Sequence, residues 1–162
     1  MVDASRGGVS LASLGYTDVG VDDAWQLCGS YGPLNYTYHL EDGTPVLNTT
    51  RFPSLANMTS YAHARNLTAG WYGNNCICKD HISDALSFAA EANFVIDAGF
   101  DSLKLDGCGA QENIGLWYDI FKWTRSQPNS PRAGKMILLE NCHNASTAAR
   151  GAAAARAQLP RH

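Results

Sequence analysis

The residues best suited to chemistry lie in one short segment, 101–108, which reads Asp-Ser-Leu-Lys-Leu-Asp-Gly-Cys. Because side chains alternate along a strand, a strand here places Leu103 and Leu105 on one face and Lys104 and Asp106 on the other. Charged side chains are seldom buried unless they are paired or functional. Parallel-stranded barrels keep their reactive groups at the carboxyl ends of the strands, which makes Asp106 the first catalytic candidate. A structural Lys–Asp pair is the alternative.

A second candidate is the pair Asp22 and Asp23, which follows an apolar segment and precedes Trp25. Carboxylates accept hydrogen bonds from sugar hydroxyls, and an indole ring can stack on the apolar face of a pyranose. The pattern therefore suits a sugar-binding corner, with an ordinary acidic turn as the alternative.

The elements that must position these residues follow from periodicity and capping signals. The sequence predicts strands at 16–21, 67–72, 101–106 and 136–140, and helices from Ser54 to Asn66, at 82–97 and at 113–124. Gly15, Asp42-Gly43 and Gly99 are typical of turns or helix ends. This alternation predicts an α/β fold of about four parallel βα units.

Two architectures fit that alternation, a partial (β/α)8 TIM barrel and a doubly wound sheet. No glycine-rich phosphate loop precedes a helix, which argues against a doubly wound sheet that binds a nucleotide. Polar residues end all four predicted strands, which favours a barrel with one shared rim.

Composition narrows the function classes further. The chain has 162 residues and a formal net charge of -3, without the basic stripe expected of a nucleic-acid partner. No apolar run approaches the length of a membrane span, and the first residues do not form a signal peptide.

Cysteines and glycosylation sequons nonetheless favour the secretory route. The chain has 5 Cys, and N-x-Ser/Thr sequons occur at Asn35, Asn48, Asn57, Asn66 and Asn144. We therefore expect a secreted or lysosomal/vacuolar protein whose amino terminus is incomplete. Residues 148–162 are basic and low in complexity, so we expect a barrel domain over 1–147 and a tail outside the fold, with a helical tail as the alternative.

An ordered set of motifs between Gly15 and His143 resembles glycoside hydrolase family 27, the α-galactosidase and α-N-acetylgalactosaminidase family of retaining glycosidases. The motifs are Gly-Tyr-x-x-Val-Gly-Val-Asp-Asp-x-Trp at 15–25, Arg-Phe-Pro at 51–53, Gly-Trp-Tyr at 70–72 and Leu-Lys-Leu-Asp-Gly-Cys at 103–108. Their order and approximate spacing match the family as well.

The resemblance implies that Asp106 is the nucleophile, which forms a covalent galactosyl-enzyme, and that Lys104 binds sugar hydroxyls beside it. It implies that Asp22 and Asp23 hold the galactose hydroxyls. An ammonium two residues along the strand would favour the ionised nucleophile. The implied substrate is an α-galactoside carbohydrate. We expect no metal or organic cofactor and neither a nucleic-acid nor a membrane partner. The full-length form could be a homodimer.

Further site residues are implied around the rim. Tyr72 and Trp25 correspond to walls of the pocket, and Cys108 to one half of a disulfide against the sugar whose partner follows Tyr72. The loop with His143 senses the sugar's 2-substituent, and it reads Cys142-His-Asn where many members have Cys-Glu-Trp. Galactose and N-acetylgalactosamine therefore both stay open.

The cysteine pairing is also open from sequence. Either Cys76 or Cys78 could form a disulfide with Cys108, and Cys28 could then pair with the remaining one of the two. A zinc site formed by Cys76, Cys78, His81 and Cys108 is the alternative, although C-x-C is not the usual zinc spacing.

The sequence departs from the family in one respect that bears on activity. A retaining glycosidase needs two carboxylates, and the family's acid/base aspartate follows the sixth strand, whereas no acidic residue follows Glu140 here. We expect about half a barrel, without the first strand, strands six to eight and the C-terminal β-sandwich. Three functions follow: an α-galactosidase acting by double displacement, an inactive truncated or pseudoenzyme chain that at most binds sugar, or a metal-dependent hydrolase. Exposed strand edges predict poor solubility.

Overall fold

The computed structural model describes residues 8–73, 77–79, 85–108, 112–127 and 131–142. After a 3₁₀ turn at Ala12–Leu14 the elements are β1 (Asp18–Gly20), α1 (Leu55–His63), β2 (Thr68–Tyr72), α2 (Ala85–Asp97), β3 (Ser102–Asp106), α3 (Ile114–Ser126) and β4 (Leu138–Cys142). The four strands form one parallel sheet in the order β1-β2-β3-β4. This confirms the predicted alternation of strands and helices.

Local capping chemistry fixes the helix ends. The Ser54 side chain accepts the amide of Asn57 at 3.2 Å and starts α1, and Asn113 accepts the amide of Leu116 at 3.0 Å and starts α3. Gly99 ends α2 with a φ of 85°, and a Cβ there would meet the Thr59 hydroxyl at 2.9 Å. Glycine is therefore required at that turn.

The outer strands differ from their predicted bounds. β1 is shorter than the predicted 16–21, and β4 lies two residues later than the predicted 136–140. Pairing with β3 explains the shift of β4, because its register runs from Ser102 opposite Leu138 to Asp106 opposite Cys142. Hydrophobicity alone had included Met136, whose residue surface is 68% exposed.

The core lies between the sheet and the helices. Leu103 and Leu105 are fully buried on this side of β3, while Lys104 and Asp106 occupy the opposite face, as the alternation predicts. The largest fully buried aromatic side chains of the core are Trp25, Trp71, Trp117, Tyr38, Tyr72, Phe88 and Phe100.

A charged cluster at the amino end of β3 joins three further segments. The Asp101 carboxylate lies 2.7 Å from His63 Nε2, accepts the amide of Ala69 at 2.9 Å and accepts a hydrogen bond from Lys135 Nζ at 2.9 Å. Burial opposes ionisation of this carboxyl, but the hydrogen bonds from Ala69, His63 and Lys135 together lower the pKa of Asp101. The cluster ties α1, β2 and the segment before β4 to β3.

Both outer strands carry exposed apolar side chains. Val19 on β1 is 39% exposed and Leu138 on β4 is 66% exposed. β1 and β4 are the terminal strands of the sheet in the described part of the chain, so each has one edge available for further pairing. None of the helices among these residues is long and apolar enough to cross a bilayer.

Replacing Asp101 by Asn should lower the free energy of unfolding at pH 7 by about 1–2 kcal/mol, since charge-assisted hydrogen bonds are lost. A carboxyl whose pKa is lowered on folding stabilises the fold above its ordinary pKa, and this contribution is lost as the pH falls below 3.8. The free energies of unfolding of the two proteins, measured with urea, should therefore differ at about pH 5 and converge as the pH falls from 3.8 toward about 2.

The control for this experiment is Asp97→Asn, which removes the more exposed ion pair with Arg132 and should change stability by less than about 0.5 kcal/mol. A difference between wild type and Asp101→Asn that stays constant across this pH range would contradict a role for the ionised carboxylate.

The open edges should make the chain self-associate as its concentration rises. Leu138→Lys should reduce that association, because a charge on an edge strand opposes pairing with another edge. Leu34→Lys is the matched control, since Leu34 is 65% exposed but lies in a turn outside the strands of the sheet. Light scattering at increasing concentration gives the measurement; a monomer with a sharp, cooperative thermal transition would refute the prediction.

Candidate active site

The carboxyl ends of the strands bring most of the sequence-derived candidates to one rim. Asp22 follows β1, Tyr72 ends β2, and Lys104 and Asp106 lie at the end of β3. The face of the sheet that carries Lys104 lines an open cavity of about 310 Å³. Its lining includes the side chains or backbone of Asp18, Gly20, Asp22, Ser102, Lys104 and Glu140.

Asp106 is held by two hydrogen bonds of known direction. Its Oδ2 accepts from the Tyr72 hydroxyl at 3.2 Å, and its Oδ1 accepts from the Gly107 amide at 2.7 Å. Burial, and then the charge of Asp106, raise the pKa of Tyr72 well above its ordinary value, so the phenol stays protonated and remains a donor. The Tyr72 oxygen also lies 3.7 Å from Cys108 Sγ.

Lys104 pairs with Asp22 across two strands. Its Nζ donates to Asp22 Oδ2 at 2.8 Å, and this bond is the main cause of a raised Lys104 pKa, to which Asp106 contributes less. The same bond, together with the Asp23 amide, lowers the pKa of Asp22. The sequence suggested that the ammonium mainly assists Asp106, whereas its hydrogen bond goes to Asp22.

Asp22 and Asp23 have different surroundings. Asp22 lines the cavity, whereas Asp23 accepts the amide of Ala24 at 2.9 Å on one oxygen and that of Ile77 at 3.2 Å on the other. Ala24 adopts a left-handed φ of 80°, which is strained for a residue with a Cβ. The two adjacent carboxylates therefore have different partners, Lys104 for Asp22 and two backbone amides for Asp23.

Trp25 is fully buried, as is Tyr72, whose hydroxyl contacts Asp106. Trp25 packs on Trp71 with ring centroids 4.0 Å apart, and its Nε1 donates to the carbonyl of Tyr72 at 2.8 Å. These contacts place the ring in the core beside the end of β2, and the sugar contact expected from the sequence stays a prediction.

The structure settles part of the cysteine pairing. Cys28 and Cys78 form a disulfide, so Cys78 is not the partner of Cys108, which is also disulfide-bonded. Disulfide sulfurs cannot act as the thiolates of the alternative zinc site. Among the described residues no cluster of three or more potential metal ligands occurs, and Cys142 is an exposed free thiol. The expectations for Cys76, His81, His143 and the tail lie outside the described residues.

Sequence reasoning missed one buried polar group near this site. Glu91 on α2 is fully buried and contacts Trp71 and His39. The signal was available, since Glu91 lies three residues after Phe88 and four before Val95, on the predicted apolar face of the helix.

Comparisons with known proteins agree on one relationship. No family profile matches the chain. Over 129 residues it is 33% identical to a curated protein named probable α-galactosidase D from Aspergillus terreus, covering 75% of this chain and 17% of that protein. Over 110 residues it is 31% identical to an α-galactosidase from Cyamopsis tetragonoloba, covering 65% of this chain and 24% of that protein. The chain thus spans about a quarter or less of these relatives.

Solved structures give the same picture for the fold. α-Galactosidase I from Mortierella vinacea superposes with a TM-score of 0.54 and 28% identity, over 81% of this chain and 32% of that one. The α-galactosidase from Saccharomyces cerevisiae solved with raffinose gives a TM-score of 0.55 at 19% identity, over 82% of this chain and 28% of that one. The four strands and their helices therefore form part of a (β/α)8 barrel.

The Cys28–Cys78 disulfide should contribute strongly to stability, because it links cysteines separated by 50 residues. Loss of the crosslink raises the conformational entropy of the unfolded chain. Cys28→Ser should therefore lower the free energy of unfolding by about 4 kcal/mol in the chain-entropy estimate. Denaturant unfolding under non-reducing conditions gives the value, and Cys28→Ser/Cys78→Ser should lose no more than the single variant. Cys142→Ser is the control and should leave stability nearly unchanged.

Proposed function

Because this chain belongs to the α-galactosidase family, glycoside hydrolase family 27, we propose that it forms the nucleophile-bearing and sugar-binding part of a retaining α-galactosidase site. Asp106 is the nucleophile, Lys104 and Asp22 bind sugar hydroxyls, and Asp23 shapes the adjoining turn. The natural substrate is a terminal α-D-galactosyl residue of an oligosaccharide, glycolipid or glycoprotein.

One observation carries this proposal: Asp106 lies at the carboxyl end of β3 with a neutral phenol donating to one of its oxygens and the Lys104–Asp22 pair beside it. A nucleophilic carboxylate must be ionised and fixed in direction before it attacks. Tyr72 and the Gly107 amide hold the orientation of the carboxylate. The Lys104–Asp22 pair offers both a hydrogen-bond donor and an acceptor to neighbouring hydroxyls.

The chemistry would proceed by double displacement. The Asp106 carboxylate attacks the anomeric carbon as the glycosidic bond breaks, which gives a galactosyl ester and a leaving group that takes a proton from an acid. Water then attacks the same carbon, a base takes the proton of the water, and Asp106 is released. In this scheme the residues described here supply binding and the nucleophile.

A second candidate function is sugar binding without turnover. Its support is that Asp22, whose carboxylate lies beside the nucleophile in the rim, is poorly suited to donate a proton, because the hydrogen bond from Lys104 lowers the pKa of Asp22. A galactoside would then bind without efficient departure of an ordinary leaving group. Either function could apply to N-acetylgalactosamine instead of galactose. The loop expected to sense the 2-substituent contains His143, where many family members have another residue, so the sequence favours neither sugar.

The cellular route and domain boundary are also proposals. Five sequons and the Cys28–Cys78 disulfide support passage through an oxidising, secretory compartment, followed by secretion or lysosomal/vacuolar residence. We place the barrel segment at 1–147 and the basic stretch 148–162 outside it.

Incubation with an activated 2-fluoro α-galactosyl donor should add one sugar to the protein, because its good leaving group needs no general acid. Intact mass and peptide mapping should locate the adduct on Asp106. Asp106→Asn should slow labelling at least ~1,000-fold, since an amide is a poor nucleophile.

Asp42→Asn is the matched control, because Asp42 caps an exposed turn through an oxygen that Asn retains. It should label at the wild-type rate. Adduct formation without turnover of ordinary α-galactosides would support the binding function, whereas an adduct elsewhere, or none beside a labelled full-length relative, would overturn the assignment of Asp106.

A further inference from the structure

A carboxyl group in the hydrophobic core requires an explanation. Glu91 is fully buried on the face of α2 that also carries Phe88, Ala92 and Val95. Burying such a group is costly unless hydrogen bonds compensate for the lost water. Its position one layer behind the rim suggests that the cost is offset by a role in holding the site together.

Each oxygen of Glu91 contacts a different part of the fold. Oε1 accepts from Trp71 Nε1 at 3.0 Å, and Trp71 belongs to β2. Oε2 lies 3.1 Å from Nε2 of His39, which is itself fully buried. His39 belongs to the segment 21–53, called here the rim loop, which carries Asp22, Asp23 and Cys28. Glu91 therefore bridges α2, β2 and the rim loop.

The two partners of Glu91 extend this bridge to the rim. The Trp71 ring packs against Trp25, whose Nε1 donates to the Tyr72 carbonyl at 2.8 Å. The His39 ring packs against Tyr38 at 4.1 Å, and the Tyr38 hydroxyl donates to the Gly73 carbonyl at 3.3 Å. Both routes end on the backbone directly after β2, where Tyr72 contacts Asp106.

We propose that Glu91 is a positioning residue for the galactoside site, which holds the rim loop against the end of β2 and so keeps Asp22 and Asp23 across from Asp106. Glu91 does not contact the sugar. This inference rests on the proposed function, because it assigns the rim loop the binding of galactose hydroxyls.

The role predicts a specific kinetic pattern. Asp106 stands on β3, which Glu91 does not contact through either of these hydrogen bonds, whereas the acids on the rim loop depend on the bridge. Loss of the bridge should therefore weaken sugar binding more than it slows the nucleophile, because Asp106 keeps its hydrogen bond from the Gly107 amide even if Tyr72 shifts. A merely structural residue would lower stability without that separation.

The experiment measures the rate of labelling by the activated 2-fluoro α-galactosyl donor as its concentration is varied, at protein concentrations low enough to prevent self-association. In Glu91→Ala, the donor concentration for half-maximal rate should rise at least about tenfold, with the maximal rate within about threefold of wild type. Glu91→Gln should recover only part of the affinity, because its carbonyl can accept from Trp71, whereas donation by its amide to His39 Nε2 would put the ring proton on Nδ1, which is buried and has no hydrogen-bond partner among the described residues.

Two further measurements separate positioning from general destabilisation. Ile120→Ala, at a fully buried position on α3, should lower the unfolding midpoint without changing the half-saturating concentration. Hydrogen exchange of the rim-loop amides of Leu27, Gly29 and Tyr36, all bonded within that loop, should accelerate in Glu91→Ala and stay unchanged in Ile120→Ala.

The outcomes are distinguishable. Unchanged rim-loop exchange in Glu91→Ala, or equal half-saturating concentrations in Glu91→Ala and Ile120→Ala, would overturn the positioning role. If wild type is not labelled at all, the proposed function fails, while the exchange measurements still decide whether Glu91 holds the rim loop.

Discussion

The contact on which most of this structure depends is the packing of Trp25 on Trp71. These two fully buried rings join a segment that precedes α1 to the middle of β2, with centroids 4.0 Å apart. Each indole nitrogen also has a polar partner, the Tyr72 carbonyl for Trp25 and Glu91 for Trp71. Large aromatic burial supplies the stabilisation, and the two nitrogens fix the orientation that burial alone would leave free.

That contact explains how a rim can be assembled from distant parts of the chain. Asp22 and Lys104 are separated by 82 residues, yet their side chains meet at 2.8 Å. Parallel strands bring their carboxyl ends to one side of a sheet, so the pair depends on the register of β1, β2 and β3. The Cys28–Cys78 disulfide and the Glu91 bridge hold the rim loop to the same end of the sheet.

The rim divides its charges in a way that suits binding and nucleophilic attack. Lys104 and Asp22 form a donor–acceptor pair, while Asp106 is oriented by Tyr72 and its own following amide. A proton donor is a different requirement, because it must carry a proton that the Asp22–Lys104 pairing removes from Asp22. Sugar binding and the nucleophile can therefore reside in one part of a barrel while the acid comes from another.

The sequence by itself determined the strand–helix alternation, the capping residues Ser54 and Gly99, and the two faces of β3. These depend on periodicity and backbone geometry, which are local. The family relationship was also legible in the ordered motifs, and the relatives confirm it.

Only the tertiary structure decided the end of β4, the Cys28–Cys78 pairing, the burial of Trp25 and the contacts of Glu91. Each depends on which distant residue lies opposite. Pairing with β3 set the end of β4, and the fold of the rim loop brought Trp25 onto Trp71. Sequence spacing reports neither, because it records the order of residues along the chain and not the distances between them in the fold.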